Sequence, residues 1–290
     1  MSWAIVADSS CNLRSIEASD HSTEYSTVPL VIHVGGVDYV DDENLDVHEL
    51  NRIIAEEPEA SSSSCPSAGV WTKQFRKFDN VIAVTISANL SGSYEAASMA
   101  RNIVLDEYAR EHEGVISGKN IHLVDSRAAG GKLEVLVTEL CRYLNDNDPT
   151  FEQAVAFIDN IEEKSQVLFS LSSYENLTKN GRMPRLAGTL ASRLNIRVLG
   201  TASHEGTIKI VGPARGEKKM AKKIIASMEG DGFSGGLVFI DHVENEPAAL
   251  QLKQTILERW PESEIHILPC RALCSYYAEN QGLIIGYTWA

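Results

Sequence analysis

The feature that most constrains the fold is a repeated order of short apolar runs, typical of β-strands, and segments with helical periodicity. In the first half of the chain the apolar runs cover residues 4–7, 28–34, 81–86 and 121–124. After the third and fourth runs, apolar residues recur every three or four positions, as on one face of an α-helix. Strands that alternate with helices in this way predict a parallel sheet covered by helices.

The second half of the chain has a different pattern. Further runs typical of strands cover residues 167–171, 196–199, 207–211, 236–240 and 264–268, at irregular spacing. The segment SHEGTIKIVG predicts two strands joined by a turn that contains Gly206. We therefore expect an N-terminal parallel-sheet α/β domain and a C-terminal α+β domain with a mixed or antiparallel sheet.

Turn-forming residues mark the expected domain boundary. The segment NDNDP at residues 145–149 interrupts the helical pattern, and Thr150 with Gln153 has the spacing of a capping box that opens a new helix. A chain of 290 residues is long enough for two domains. We predict one domain at residues 1–149 and a second at residues 150–290.

Composition restricts the partners and the compartment. With 40 acidic and 26 basic residues the formal charge is -14, which disfavours nucleic acid and anionic membrane surfaces as partners. The sequence begins without the pattern of an export signal, and its apolar runs are too short to cross a bilayer. An odd number of scattered cysteines suits a reducing compartment. These features predict a soluble, cytoplasmic protein without stable membrane insertion.

Short polar residues follow three of the predicted strands, at residues 8–10, 87–93 and 125–131. Ligands of open α/β sheets bind at the carboxyl ends of the strands, where helix N-termini and short side chains meet. We therefore expect these three segments to form one binding crevice. In the alternative interpretation, Ser91 or Ser93 only caps a helix and Gly92 only forms a turn.

Familiar catalytic motifs are missing from the sequence. Residues 89–93 lack the first glycine of the G-x-S-x-G elbow, and no lysine follows a complete P-loop pattern. The G-x-G-x-x-G at residues 230–235 follows a helix pattern and precedes a strand, which predicts a turn. Cys270 and Cys274 have no second pair and are expected to be packed thiols. We expect no metal and no cofactor, and we expect the serine run at residues 61–64 to be a solvated loop.

Seven segments, taken in order, resemble the signatures of the DegV family. They are IVADSS, VPLVIHVGGVDYVDD, SSCPSAG, ISANLSGSYEAA, VDSRAAGG, LTKNGRMPRLAGTL and RVLGTASHEGTIKIVGPARGEKKM. The resemblance implies a bacterial protein that binds one long-chain fatty acid in a tunnel between its two domains. It further implies that a separate kinase with a Dak-type ATP domain phosphorylates the bound acid. The chain would then be a carrier and co-substrate, and not itself an enzyme.

The resemblance also assigns residues to the head group of the lipid. The family motif T-S-Q-P-S corresponds to residues 63–67, and its first hydroxyl to Ser63. The motif L-S-G-T corresponds to residues 90–93, with Ser93 in place of threonine, and a G-G-R segment corresponds to residues 180–182. The ligand-binding residues expected on this basis are Ser63, Ser64, Ser91, Gly92, Ser93, Arg182 and Tyr277.

One position departs from the family pattern. The family's C-terminal H-x-G-P-G-A segment maps onto residues 277–282, so Tyr277 replaces a histidine. A tyrosine donates only a neutral hydrogen bond, whereas an imidazole can be cationic near neutral pH. We expect this chain to bind a fatty acid but to be a poorer kinase co-substrate than members with the histidine. Alternatively, Tyr277 only packs against its neighbours, and His266 or His242 takes the role of the family's histidine.

Two other functions stay open from the sequence alone. The changed C-terminal segment is compatible with an interaction or structural protein that has a reduced or empty pocket. A serine-dependent hydrolase with Ser91 as nucleophile is the other alternative, although no histidine and aspartate spacing supports it.

Overall fold

Three β-sheets organise the protein, whose computed structural model describes residues 2–16, 23–56, 61–183 and 196–289. The strands are β1 Trp3–Asp8, β2 Thr23–Val28, β3 Val31–Val34, β4 Val37–Val40, β5 Ser62–Ser64, β6 Asn80–Thr85, β7 Asn120–Asp125, β8 Ser165–Leu171, β9 Ile196–Ala202, β10 Ile208–Arg215, β11 Leu237–His242, β12 Glu264–Pro269 and β13 Leu283–Thr288. The helices are α1 Val47–Glu56, α2 Ala68–Phe75, α3 Ser93–Glu111, α4 Gly131–Asn147, α5 Phe151–Glu163, α6 Glu175–Lys179, α7 Glu217–Gly230, α8 Glu246–Arg259 and α9 Ala272–Ala278.

The first sheet has the order β2-β1-β6-β7, and all of its neighbouring strands are parallel. This confirms the N-terminal parallel-sheet α/β prediction. The run expected as one strand at residues 28–34 is instead divided between β2 and β3, which belong to different sheets. Pro29 has no N–H to donate to a ladder, and the N–H of Leu30 donates to Ser9 Oγ at 2.9 Å. The ladder therefore ends at Val28.

A small antiparallel sheet with the order β4-β3-β5 was not expected from the sequence. Its strand β5 consists of three residues of the serine run that was predicted to be a solvated loop. That prediction is wrong, because β5 pairs with β3 and the preceding Ser61 is buried. The Ser61 hydroxyl lies 2.7 Å from the hydroxyl of Tyr276 in α9.

The second sheet has the order β10-β9-β8-β13-β11-β12. Its neighbours are antiparallel except for β11 and β12, so the predicted C-terminal α+β region with a mixed sheet is confirmed. The predicted hairpin is β9–β10, and Gly206 in its turn has a φ of 79°. Residues 230–235 link α7 to β11 as the expected turn, and Cys270 and Cys274 are buried, free thiols.

Helix α4 joins the two large sheets. Its Leu133 and Leu136 pack in the core of the first sheet, whereas Val135 packs against Leu237 and Phe239 of β11. The capping box predicted at Thr150 is present at the start of α5. Helix α5 follows the proposed boundary at residue 149 but packs in the core of the first sheet. The division into residues 1–149 and 150–290 stays a prediction.

No helix in the described ranges is both long enough and apolar enough to cross a membrane.

Two buried carboxyl groups meet at the junction of the halves. The N–H of Asn12 donates to Glu134 of α4, and Asn12 Nδ2 donates to Asp241 Oδ2 of β11 at 2.9 Å. Burial away from water raises the pKa of Asp241, and it raises the pKa of Glu134 to about 7. The Arg271 guanidinium opposes this shift for Glu134 without cancelling it.

We predict that the Glu134→Gln variant is more stable than the wild type at neutral pH. A carboxyl whose pKa is higher in the folded than in the unfolded state binds more protons when folded, so stability falls as pH rises between the two pKa values. Here that window runs from the ordinary value of 4.5 to about 7. Between pH 5 and pH 8 the variant should gain about 2 kcal/mol relative to the wild type.

Urea unfolding at several pH values measures this gain. The exposed Glu258→Gln is the control and should follow the wild-type profile. Parallel profiles for Glu134→Gln and the wild type would contradict the prediction.

Candidate functional site

A narrow apolar cavity lies between the first and second sheets. Its empty space is about 700 Å³, which includes space continuous with solvent. Side chains of both halves of the chain form the walls, among them Ile86, Leu90, Phe169, Leu171, Ile208 and Leu273. A slot of this width and polarity suits a hydrocarbon chain and not a polar metabolite.

A polar cleft adjoins the cavity. Its empty space is about 530 Å³, and it shares Ile86, Leu90 and Leu273 with the cavity wall. Six of the expected binding residues line this cleft, and they are Ser63, Ser64, Ser91, Gly92, Arg182 and Tyr277. The arrangement can hold a molecule with a polar head and a long apolar tail.

Ser63 and Tyr277 lie next to each other in one wall of the cleft. The ladder between β5 and β3 positions Ser63, and α9 carries Tyr277, so that their hydroxyl oxygens lie 2.8 Å apart. Burial raises the pKa of Tyr277, so its hydroxyl stays neutral at physiological pH. The Arg182 guanidinium lies 5.8 Å from the centre of the Tyr277 ring and adds a positive charge to the cleft.

The loop after β6 supplies the opposite wall. Ser91 Oγ accepts the N–H of Ser93 at 3.3 Å, and a side chain at Gly92 would lie 3.2 Å from Cys65 Sγ. Ser93 itself does not line the cleft. It is fully buried, and its hydroxyl donates to Asp8 Oδ2 at 2.6 Å. Its expected place among the ligand-binding residues is therefore not supported.

The three polar strand ends do not form one crevice of ligand-binding groups. Asp8 accepts hydrogen bonds from Ser10, Ser93 and the N–H of Ile86, and burial raises its pKa. After β7, Ser126 bonds to the backbone of Ala128. Of these three loops, only the one after β6 brings a hydroxyl group to the cleft, that of Ser91, because the polar groups of the other two bond within the protein. The β7 loop contributes apolar cavity wall instead.

The turn of the β9–β10 hairpin also bounds the cavity, a role that no motif in the sequence had indicated. Ser87 Oγ donates to the carbonyl of Gly206 at 2.8 Å, and Asn89 Nδ2 donates to the carbonyl of Glu205 at 2.5 Å. A side chain at Gly206 would lie 3.0 Å from Arg127 Cα. Position 206 thus requires a glycine for two reasons: the backbone of Arg127 comes too close for a side chain, and the φ angle is positive.

Neither alternative histidine lines the cleft. His242 accepts the N–H of Asn245, and the ring of His266 stacks on Phe239 at 4.9 Å. In the part of the chain that the structure describes, no imidazole bonds to the Ser91 hydroxyl either. Ser91 therefore lacks the neighbouring base that a nucleophile requires.

Comparison with known proteins agrees with this geometry. A family model described as "Uncharacterised protein, DegV family" matches residues 2–287. The chain belongs to the DegV family. A DegV domain-containing protein of Streptococcus pyogenes is 37% identical over 287 residues, which are 99% of each chain. Of the DegV segment LTKNGRMPRLAGTL, residues 184–190 lie outside the described residues.

Solved structures of DegV relatives share the whole fold. A crystal structure of the Streptococcus pneumoniae fatty acid kinase (Fak) B3 protein loaded with linoleic acid has a TM-score of 0.93 and 37% identity, over 99% of each chain. A DegV family protein of Eubacterium eligens loaded with heptadecanoic acid has a TM-score of 0.91 and 30% identity, over 100% of each chain. Both relatives hold a long-chain fatty acid.

Proposed function

We propose that this DegV protein binds one long-chain fatty acid, with the tail in the apolar cavity and the carboxylate in the adjoining cleft. The observation that carries the proposal is the continuity of the two spaces, which share Ile86, Leu90, Arg182, Leu273 and Tyr277. The fatty acids held by the two relatives support the same ligand class. An open cavity also argues against a purely structural protein with a filled pocket.

The cavity supplies most of the affinity in this proposal. Burial of roughly 14 methylenes at about 0.8 kcal/mol each gives a gross gain on the order of 11 kcal/mol, before the cost of association. A hydrogen bond to a carboxylate adds about 2 kcal/mol at most. The tail therefore determines how tightly the acid binds, and the head-group residues determine where its carboxylate lies.

Three side chains would hold the carboxylate. Ser63 and Ser91 can each donate a hydroxyl proton, and Arg182 offers a permanent positive charge in the same cleft. These groups explain how a protein with a net charge of -14 can receive an anion. The formal charge is distributed over the whole surface, whereas the donors act at contact distance.

We further propose that the chain presents its acid to a separate Dak-type fatty acid kinase and does not itself transfer phosphate. The similar Streptococcus pneumoniae protein, fatty acid kinase (Fak) B3, supports a fatty acid kinase as the partner. We place this activity in the cytoplasm, since none of the five cysteines is in a disulfide bond, as in a reducing compartment. The net negative charge makes nucleic acid a poor partner.

Native mass spectrometry of the freshly purified protein tests the binding proposal. We expect one retained adduct of fatty-acid mass, and lipid extraction with mass analysis should identify a long-chain acid. A protein that carries no lipid and does not take up added oleate or palmitate would refute the proposal.

We predict that Tyr277→His increases phosphorylation of the bound acid by about tenfold. A protonated imidazole near Ser63 and Arg182 would stabilise the charge that develops on the acyl phosphate, which a neutral phenol stabilises less. Turnover with a Dak-type kinase and labelled fatty acid measures the effect. Tyr277→Phe is the control and should show no gain. Equal turnover of Tyr277→His and the wild type, at equal lipid content, would contradict the prediction.

A further inference from the structure

A glycine lies inside one strand of the sheet that walls the cavity. Gly200 belongs to β9, where it pairs with Phe169 of β8 on one side and with Ile210 of β10 on the other. Its φ lies outside the left-handed region, so the backbone at this position could carry other residues. A glycine in a strand interior often marks the close approach of another group. Gly200 is therefore explained by what lies on it and not by its backbone conformation.

The ring of Phe169 lies directly on Gly200. A Cβ at Gly200 would be 2.2 Å from Phe169 Cε2 and 2.7 Å from Phe169 Cδ2, which is far inside van der Waals contact. Directly paired residues of an antiparallel sheet project from the same face, so the pairing of these two residues produces the contact. The ring fills the space that a side chain at position 200 would need.

Other side chains confine the ring within the face of the sheet. Ile284 of β13 pairs with Phe169 on the side away from Gly200. Val167 and Leu171 precede and follow the ring on the same face of β8. All three neighbours are buried and line the cavity. Among the described residues, they leave a displaced ring one direction of movement, which is outward from the sheet into the cavity.

Phe169 borders the part of the cavity that would hold the acyl tail. Strand β8 is central in the second sheet, yet Phe169 is only half-buried, because its remaining exposed surface faces the cavity. The residue lines the apolar cavity and lies outside the polar cleft. A ring that turned outward here would narrow the passage for the tail and leave the head-group residues unchanged.

We propose that Gly200 and Phe169 determine the length of the acyl chain that the cavity accepts. With glycine at position 200 the ring lies against the sheet, and the passage stays open to a long, unbranched chain. With a larger residue at this position the ring would project, and the cavity would accept only medium-chain acids. The inference rests on the proposed fatty-acid binding and adds which residues select among fatty acids.

The affinity gained per methylene makes this selection measurable. Each buried methylene raises the affinity about fourfold, so affinity increases with chain length until the tail fills the accessible space. The chain length at which the increase stops therefore reports the accessible length of the cavity. A projecting ring shortens that length, whereas a general loss of stability lowers the affinity for all chain lengths alike.

The test uses the full-length protein after removal of bound lipid. Displacement of a fluorescent fatty acid gives the dissociation constants of saturated acids from octanoate to stearate. In the wild type we expect affinity to increase at least as far as palmitate. In Gly200→Ala the increase should stop at least about three methylenes earlier, which weakens palmitate binding by about 50-fold or more and leaves octanoate binding within about threefold.

Removal of the ring should abolish the effect of the glycine substitution. Phe169→Ala and the double variant Phe169→Ala/Gly200→Ala should show the same dependence on chain length, because no ring then remains to be displaced. Gly230→Ala is the matched control, since a Cβ at that position meets nothing within 4 Å, and it should bind like the wild type.

A second variant tests the proposal without adding an atom to β9. Phe169→Trp places a larger ring between Gly200 and Ile284, so part of the indole must extend into the cavity. We expect palmitate to bind at least about tenfold more weakly than to the wild type, and octanoate to bind as it does to the wild type. Melting temperatures establish that each variant is folded.

An unchanged dependence on chain length in folded Gly200→Ala would overturn the inference. If that variant does not fold, the same result in Phe169→Trp would overturn it. A Gly200→Ala effect that persists without the Phe169 ring would also contradict it. These results leave the binding proposal intact, because the wild type still binds long-chain acids. A wild type that binds none of the acids would refute the binding proposal and this inference together.

Discussion

Gly286→Ala is expected to destabilise the folded protein by at least about 4 kcal/mol, which is a large share of the stability of an ordinary domain. Gly286 lies in β13, and the first residue of α4, Gly131, packs directly on its backbone. A Cβ at Gly286 would overlap the Gly131 carbonyl group, and a Cβ at Gly131 would lie 2.8 Å from Gly286 Cα. Because both neighbours are backbone, no side chain can move aside.

Urea unfolding and the yield of soluble protein measure this effect. Gly230→Ala is the matched control, because nothing lies within 4 Å of a Cβ at that position. We expect the control to change the free energy of unfolding by less than about 1 kcal/mol. A Gly286→Ala variant within about 1 kcal/mol of the wild type would show that α4 does not contact β13 in this way.

Ala202→Trp is expected to weaken fatty-acid binding by at least about 100-fold. Ala202 ends β9 and lines the narrow apolar cavity. An indole at this position would occupy the space that the tail requires, and the loss of only four buried methylenes corresponds to about 3 kcal/mol. The substitution leaves the cleft residues Ser63 and Ser91 unchanged.

Isothermal titration or displacement of a fluorescent fatty acid measures the binding loss. Ala226→Trp places the same side chain on the exposed face of α7 and should bind like the wild type. The melting temperatures of the two variants establish that both are folded. Undiminished binding by a folded Ala202→Trp would mean that the acyl tail lies elsewhere.

The sequence predicted the layers of the fold better than the strand pairing. Period and turn residues located β1, β6 and β7, because these strands are short and apolar and helices follow β6 and β7. The same rules predicted β2 and β3 as one continuous strand. The local sequence does not show that these two adjacent segments belong to different sheets. Strand β5 was missed because its three serines have low β-propensity, and only pairing with β3 makes them a strand.

The candidate site was predictable only where a family motif identified it. Ser63, Ser91 and Arg182 come together in the cleft as the resemblance implied. The apolar walls were not predictable, because Phe169 and Ile208 face the cavity through contacts between distant strands. Ser93 carries the same hydroxyl as Ser91, but it is the first residue of α3 and donates to buried Asp8 instead. Local sequence does not encode that difference in direction.

The cavity walls come from both halves of the chain, and this affects the lifetime of the protein. A fatty acid that contacts both halves binds the native protein and not the unfolded chain. Bound fatty acid must therefore raise the melting temperature by mass action. Empty molecules would then be the ones that proteases remove first. The supply of lipid would thereby regulate how many copies of its own carrier survive.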